Sequence, residues 1–215
     1  MTESQRVIAI PEVLRDLLSP EEYELLLSCI RKDLSVTIRL NTLRMKKLRF
    51  EELMEKHHIP WTHSPFLDYS YSVSVPQDAQ KWFIRLRLLG IFYLQNFSSM
   101  IPALAFGIEK KSEDLDTKCA LDLCAAPGSK TTHIAEIMQN KALIVANDYS
   151  KGNYRSYILH RNLKLFGCIN TVVSTQDGEK LGEKWPRMFD YALADVPSAL
   201  PSTRYYRDIQ PLINK

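Results

Sequence analysis

The chain has 215 residues, 45% of them hydrophobic and 25% charged, with a formal net charge of +3. This composition excludes disorder as the dominant state, and the length allows one large domain or a small one plus a larger one. So mild a charge permits contact with a polyanion without demanding it, so a case for nucleic acid must rest on where the basic residues sit.

The start, Met1-Thr-Glu-Ser-Gln-Arg6, lacks the basic-then-apolar plan of a secretory signal. No apolar run approaches the ~20 residues of a membrane helix. Cys29, Cys119, Cys124 and Cys168 show neither CxxC nor metal spacing. They read as reduced, mostly buried thiols of an intracellular protein. A cytoplasmic location is expected, with nucleus and mitochondrion also open, and no membrane partner.

Ser19-Pro-Glu-Glu22 reads as a helix start, with Ser19 as N-cap and Glu22 completing a capping box. Leu25, Leu26, Cys29 and Ile30 follow at helical spacing. Residues 35–41 alternate as a strand, and a helix follows in which Phe50, Leu53, Met54 and His57 share a face. Pro60, Pro65 and Pro76 make residues 60–77 a strand-and-loop region. His57, His58 and His63 lie close together without an acidic or thiol companion at ligand spacing, so no metal centre is expected. Arg39, Arg44, Lys46, Lys47 and Arg49 cluster in one strand and its loop, and Arg85 and Arg87 add a second group. Such a run is either a solvated surface or a phosphate-contacting face for RNA.

Residues 90–96 read as a strand and 97–106 as an apolar helix, followed by a polar linker. From residue 119 onward strands and helices alternate. Strands are expected at 119–123, 142–146, 170–173 and 189–194. Helices are expected from Ser129, carrying Ile134, Ile137 and Met138, and over 153–166, stopped by Gly167. The fold class is α/β, a doubly wound, mostly parallel sheet of Rossmann-like type, preceded by a small α+β domain. The expected domains are residues 1–89 and 90–215.

The most informative stretch is Ala120-Leu-Asp-Leu-Cys-Ala-Ala-Pro-Gly-Ser-Lys-Thr-Thr132, an apolar strand running into a Pro-Gly turn and a helix start. Bare backbone at the carboxyl end of a strand is how such folds meet a small ligand. A triphosphate loop needs Gly directly before Lys and an earlier Gly. Here the order is Gly128-Ser129-Lys130 and the upstream position is Leu123, so that reading fails. Asp148 ends the second strand, where a carboxylate can accept from ribose hydroxyls. Asp177 follows the third, placed for an adenine amine, and Asp195 ends the fourth, beside a reactive group. Strand-end acids would repel a pyrophosphate and attract a sulfonium, which favours S-adenosylmethionine over a dinucleotide.

At these residues the chain resembles the Sun/Fmu-type RNA cytosine-C5 methyltransferases, over roughly residues 35–200. Asp122 to Thr131 is similar to their cofactor loop, Asn147-Asp148 to the ribose-binding strand end, Gln176-Asp177-Gly178 to the adenine-side motif, and Asp195-Val-Pro197 to the start of the active-site motif. Arg155, Asn162 and Gly167 match the helix between them, with two extra residues separating Asp148 from Arg155. Gln95, Ser98 and Ser99 resemble the segment before the catalytic domain, and Arg39 and Asn41 match the N-terminal RNA-contacting domain. The resemblance implies a class I methyltransferase fold, S-adenosylmethionine as cofactor, and tRNA or rRNA as substrate. It assigns the cofactor to Cys124, Ala125, Ala126, Pro127, Gly128, Ser129, Lys130, Asp148, Arg155, Asp177 and Asp195. It makes Asp195 and Lys130 catalytic, and the basic run adds Arg44, Lys46 and Lys47 to Arg39 and Asn41 on the RNA side.

The family's chemistry uses a cysteine thiolate that adds to cytosine C6 so that C5 can attack a methyl group. Here the motif's cysteine position holds Ser198, followed by Ala199 and Leu200, and no cysteine of the chain matches the nucleophile. The strand at 189–194 is expected to present an apolar edge that missing C-terminal strands or a protein partner would cover. Two readings follow: an RNA 5-cytosine methyltransferase seen without its catalytic segment, or a catalytically inactive relative that binds RNA and acts as an assembly subunit.

Overall fold

The computed structural model describes residues 18–24, 36–64, 66–107, 114–149 and 153–196. The chain divides into two compact units, residues 1–35 and 36–215. In the first unit, residues 20–24 are helical, and the capping box is formed. The backbone N–H of Glu22 donates to Ser19 Oγ at 3.2 Å, and that of Ser19 donates to Glu22 Oε2 at 2.9 Å. The apolar positions from Leu25 to Ile30 lie outside the described residues.

Among the described residues the second unit holds two four-stranded sheets. The first contains β1 (Val36–Leu40), β2 (Trp61–His63), β3 (Ser70–Val73) and β4 (Phe92–Leu94) in the antiparallel order β2-β3-β1-β4. Helices α1 (Lys47–Lys56) and α2 (Gln80–Leu88) supply Phe50, Met54, Phe83 and Leu86 to one side of it. Ile38 and Leu40 meet them there, because alternation along β1 sends both to the same face. Arg39, between them, points the other way. Phe92–Leu94, which lies beyond residue 89, pairs with β1 in register Ile38 to Leu94, so β4 completes the first sheet.

Helix α3 (Phe97–Leu104) leads to the second sheet, which has β5 (Cys119–Asp122), β6 (Leu143–Asn147), β7 (Thr171–Ser174) and β8 (Tyr191–Leu193) in the parallel order β7-β6-β5-β8. Its crossovers are α4 (Ser129–Ile137), α5 (Asn153–Phe166) and the short α6 (Leu181–Lys184). This is the α/β architecture that alternating apolar strands and amphipathic helices demand. Among the described residues β8 pairs only with β5 and forms one edge of the sheet. No described helix is long and apolar enough to cross a membrane.

Helix α4 lies between the sheets and is buried from Thr131 to Ile137, polar positions included. Ile134, Ala135, Ile137 and Met138 pack with Ala120 and Ile144 of the second sheet. Its opposite side meets the first sheet: Arg39 Nη1 lies 3.2 Å from Glu136 Oε2, Arg39 Nη2 donates to Thr132 Oγ1 at 2.8 Å, and Tyr69 Oη is 3.1 Å from His133 Nε2. Helix α5 joins the same layer, with Phe166 against Tyr93. Gly90 has φ +70°, and a Cβ there would stand 2.3 Å from the Leu165 carbonyl oxygen, so only glycine lets this connection pass.

Candidate active site

The carboxyl ends of all four parallel strands carry chemistry. β5 ends at Asp122, which is 1% exposed and accepts from the Thr131 hydroxyl at 2.6 Å. Burial pushes its carboxyl up to about 6, against the pull of Thr131 and Lys130. The chain then turns through Leu123 to Gly128, the residue before α4. Gly128 has φ +103°, and a Cβ would press to 3.1 Å from Leu159 Cδ1 on α5.

Three neighbours hold this loop. Asn147 Nδ2, at the end of β6, donates to the Leu123 and Gln176 carbonyls at 3.1 and 3.0 Å, and its Oδ1 accepts from the Gln176 N–H at 2.9 Å. One amide thus ties the β5 loop to the β7 loop. Asn162 Nδ2 donates to the Pro127 carbonyl at 2.7 Å. Asp148 is buried and accepts from the Ala126 N–H at 2.9 Å. Arg155 forks onto the same carboxylate, with Nε to Oδ1 at 2.9 Å and Nη2 to Oδ2 at 3.0 Å. The two extra residues before Arg155 therefore do not prevent its pairing with Asp148.

Asp177 follows β7 and caps a 3-10 turn, accepting from the Glu179 N–H at 3.2 Å. Asp195, two residues past β8, forms an ion pair with Lys130 of α4. Cys124 sits among these acids. Burial raises its thiol first, and Asp148 and Asp122 raise it further. Ser198 lies outside the described residues.

The 16S rRNA methyltransferase RsmB/F family model matches residues 110–211. The ribosomal RNA small subunit methyltransferase F of Shewanella oneidensis is 34% identical over 174 residues, 81% of this chain and 35% of that protein. That of Shewanella piezotolerans is 34% identical over 188 residues, 87% of this chain and 39% of that one. The chain belongs to the Sun/Fmu-type RNA methyltransferase family. It spans about a third of the length of these curated relatives. Two solved structures share the fold. A methyltransferase homolog protein from Pyrococcus horikoshii has a TM-score of 0.65 at 24% identity, covering 86% of this chain and 59% of that one. NSun6 from Pyrococcus horikoshii with SFG has a TM-score of 0.67 at 19% identity, covering 90% and 71%.

Within this family architecture, the residues expected on the cofactor side come together. The expected RNA side divides. Arg39 is 2% exposed and committed to Glu136 and Thr132, and Asn41 is buried with Nδ2 on the Gly90 and Phe166 carbonyls, both at 2.9 Å. Neither can reach an RNA; both join the first sheet to the methyltransferase layer. Arg44 is exposed but its Nη2 donates to the Leu165 carbonyl at 2.9 Å, at the carboxyl end of α5, where a cation is favoured. Lys46 is exposed, and Lys47 lies 4.0 Å from Glu51 and 3.7 Å from Asp68. Of the clustered histidines, His57 stacks on Trp82, and His63 Nε2 is 3.2 Å from Glu51 Oε1. Sequence reasoning did not single out the Asn147 clamp or the Asp122–Thr131 bond. Their signals were present, since Asn147 precedes the strand-end Asp148 and Thr131 lies just beyond the loop.

Proposed function

We propose that this chain is the methyl-donor-binding part of an S-adenosylmethionine-dependent RNA cytosine-C5 methyltransferase acting on a structured rRNA or tRNA in the cytoplasm. The observation that carries this is the convergence of the Cys124–Lys130 loop, Asp148, Asp177 and the Lys130–Asp195 pair at the ends of four parallel strands. The residues fit that donor. Asp148 accepts three hydrogen bonds from protein donors, and a carboxylate has about four lone-pair directions, which leaves capacity for a ribose hydroxyl. Asp177 can accept from an adenine amine. The acids of the site favour a sulfonium cation. When bound, S-adenosylmethionine supplies an electrophilic methyl group.

On the base side, the Lys130–Asp195 pair offers a proton donor and an acceptor to the edge of a cytosine. The remaining requirement is a thiolate for C6, and the described cysteines do not meet it. Cys124 is held as a thiol by burial and by Asp148 and Asp122, and Cys119 by burial and Asp190. Burial pushes Cys168 up to about 12. This chain therefore binds the donor without transferring the methyl group by itself. A protein covering the β8 edge belongs to the same proposal.

Titration calorimetry tests the donor side. Binding is expected for the chain, and Asp148→Asn should weaken it roughly tenfold to a hundredfold, the worth of a hydrogen bond to a charged group. No heat at millimolar S-adenosylmethionine would overturn the cofactor assignment. Incubation with methyl-labelled donor and rRNA should leave cytosine unlabelled. Label in 5-methylcytosine would show that a cysteine of this chain acts as nucleophile after all.

A further inference from the structure

Helix α5 has two faces of different character. Arg155, Leu159, Asn162, Leu163 and Phe166 turn inward, onto Asp148, the Pro127 carbonyl and the sheet. Tyr154, Tyr157, His160, Arg161 and Lys164 recur at spacings of three, four and seven, which places them on one outward arc. Tyr154 is 74% exposed and Tyr157 65%. Tyr149, which directly follows Asp148, is 60% exposed. Single exposed apolar residues need no explanation, but two largely exposed tyrosines interleaved with cations on one helix face do.

The charge pattern identifies the occupant. The helix sequence contains Arg155, His160, Arg161 and Lys164 and no acidic residue. Among the described residues no carboxylate pairs with Arg161 or Lys164. An acidic protein would use the cations and leave the rings idle, whereas RNA uses both. Phosphates neutralise the cations, and unpaired bases stack on flat aromatic rings whatever their sequence. We propose that the outward face of α5, with Tyr154 and Tyr157 as its rings and Arg161 and Lys164 as its phosphate-binding cations, is a stacking platform for a single-stranded segment of RNA beside the donor site. The proposal rests on RNA being the substrate.

The test uses the full chain, with a labelled twelve-nucleotide oligouridylate and a blunt RNA duplex of about the same length as probes. The double variant Tyr154→Ala/Tyr157→Ala should bind the single strand roughly tenfold or more weakly, as loss of base stacking predicts. Duplex affinity, S-adenosylmethionine binding and melting temperature should stay as in the parent. Tyr154→Phe/Tyr157→Phe should restore single-strand binding, because the rings and not the hydroxyls stack. Arg161→Ala/Lys164→Ala should flatten the plot of log affinity against log salt, by about 0.7 for each phosphate no longer neutralised. Unchanged single-strand affinity in the alanine variant overturns the platform, as a protein-docking face would produce. So does an equal loss on both probes. A parent chain that binds neither probe at low salt overturns the RNA reading itself, which separates the two failures.

Discussion

Asp122 is a carboxylate closed into the end of β5, with the Thr131 hydroxyl as its donor. Burial raises its folded-state value to about 6, above that of an unfolded chain. The folded protein therefore holds this proton more tightly than the unfolded one. Ionisation costs nothing while both states are protonated, below about pH 4, and the cost grows until pH passes about 6, where it is complete. Stability from this group falls as pH rises through that window. The difference corresponds to roughly 3 kcal/mol if the group alone is counted. Asp122→Asn keeps an acceptor for Thr131 and removes the titration. Urea unfolding from pH 4 to 8 should show the variant gaining on the parent between pH 4 and 6, then keeping its advantage. A parent-to-variant difference constant across that range would show that Asp122 ionises as freely in the fold as outside it. Acidity of this kind was only half legible in the sequence. The strand-end position of Asp122 could be read, whereas its burial depends on α4 closing over it.

Helix α4 shows where periodicity reads correctly and where it misleads. Ile134, Ile137 and Met138 mark its apolar side as expected, which implies a polar side facing water. Instead Thr132, His133 and Glu136 are buried against the first sheet, each with a partner across the interface. Composition could not reveal this, because the partner Arg39 lies far away in sequence and read as one more cation of a basic run. Burial pulls the Arg39 guanidinium down and Glu136 counters part of that, the mark of a charge that persists inside only because it is paired. Arg39→Ala should therefore cost about 3–5 kcal/mol in urea unfolding, since it removes the guanidinium that faces the buried Glu136 carboxylate. Arg39→Met/Glu136→Gln should recover more than half of that. The neutral amide of that double variant keeps an acceptor for the Thr42 N–H and hydroxyl, which in the parent donate to Glu136 Oε1 at 3.1 and 2.8 Å. If the double variant is no more stable than Arg39→Ala, the loss comes from packing and not from the buried charge.

From Val36 onward the molecule is one compact unit built of two sheets, although the sequence reads as a small domain followed by a larger one. β4 belongs by pairing to the first sheet, and Arg39, Asn41 and Tyr69 spend their polar groups on the helix layer, contacts between residues too far apart in sequence for local pattern to register. Such coupling has a thermodynamic signature. Trp61 and Trp82 lie against the first sheet's core, and Trp185 packs with Leu121, Val145 and Leu181 on the second. Trp185→Phe leaves fluorescence from the first sheet, and Trp61→Phe/Trp82→Phe leaves it from the second. If the buried pair and the Asn41 clamp make the layers unfold together, S-adenosylmethionine at 100 times its Kd raises both midpoints, because ligand binding stabilises the whole cooperative unit by about 2.7 kcal/mol. If the layers are independent, only the Trp185 signal shifts. The Arg39→Ala background sharpens the test: cutting the buried Arg39–Glu136 tie between the first sheet and α4 should pull the two midpoints apart, with the donor then protecting the second sheet alone.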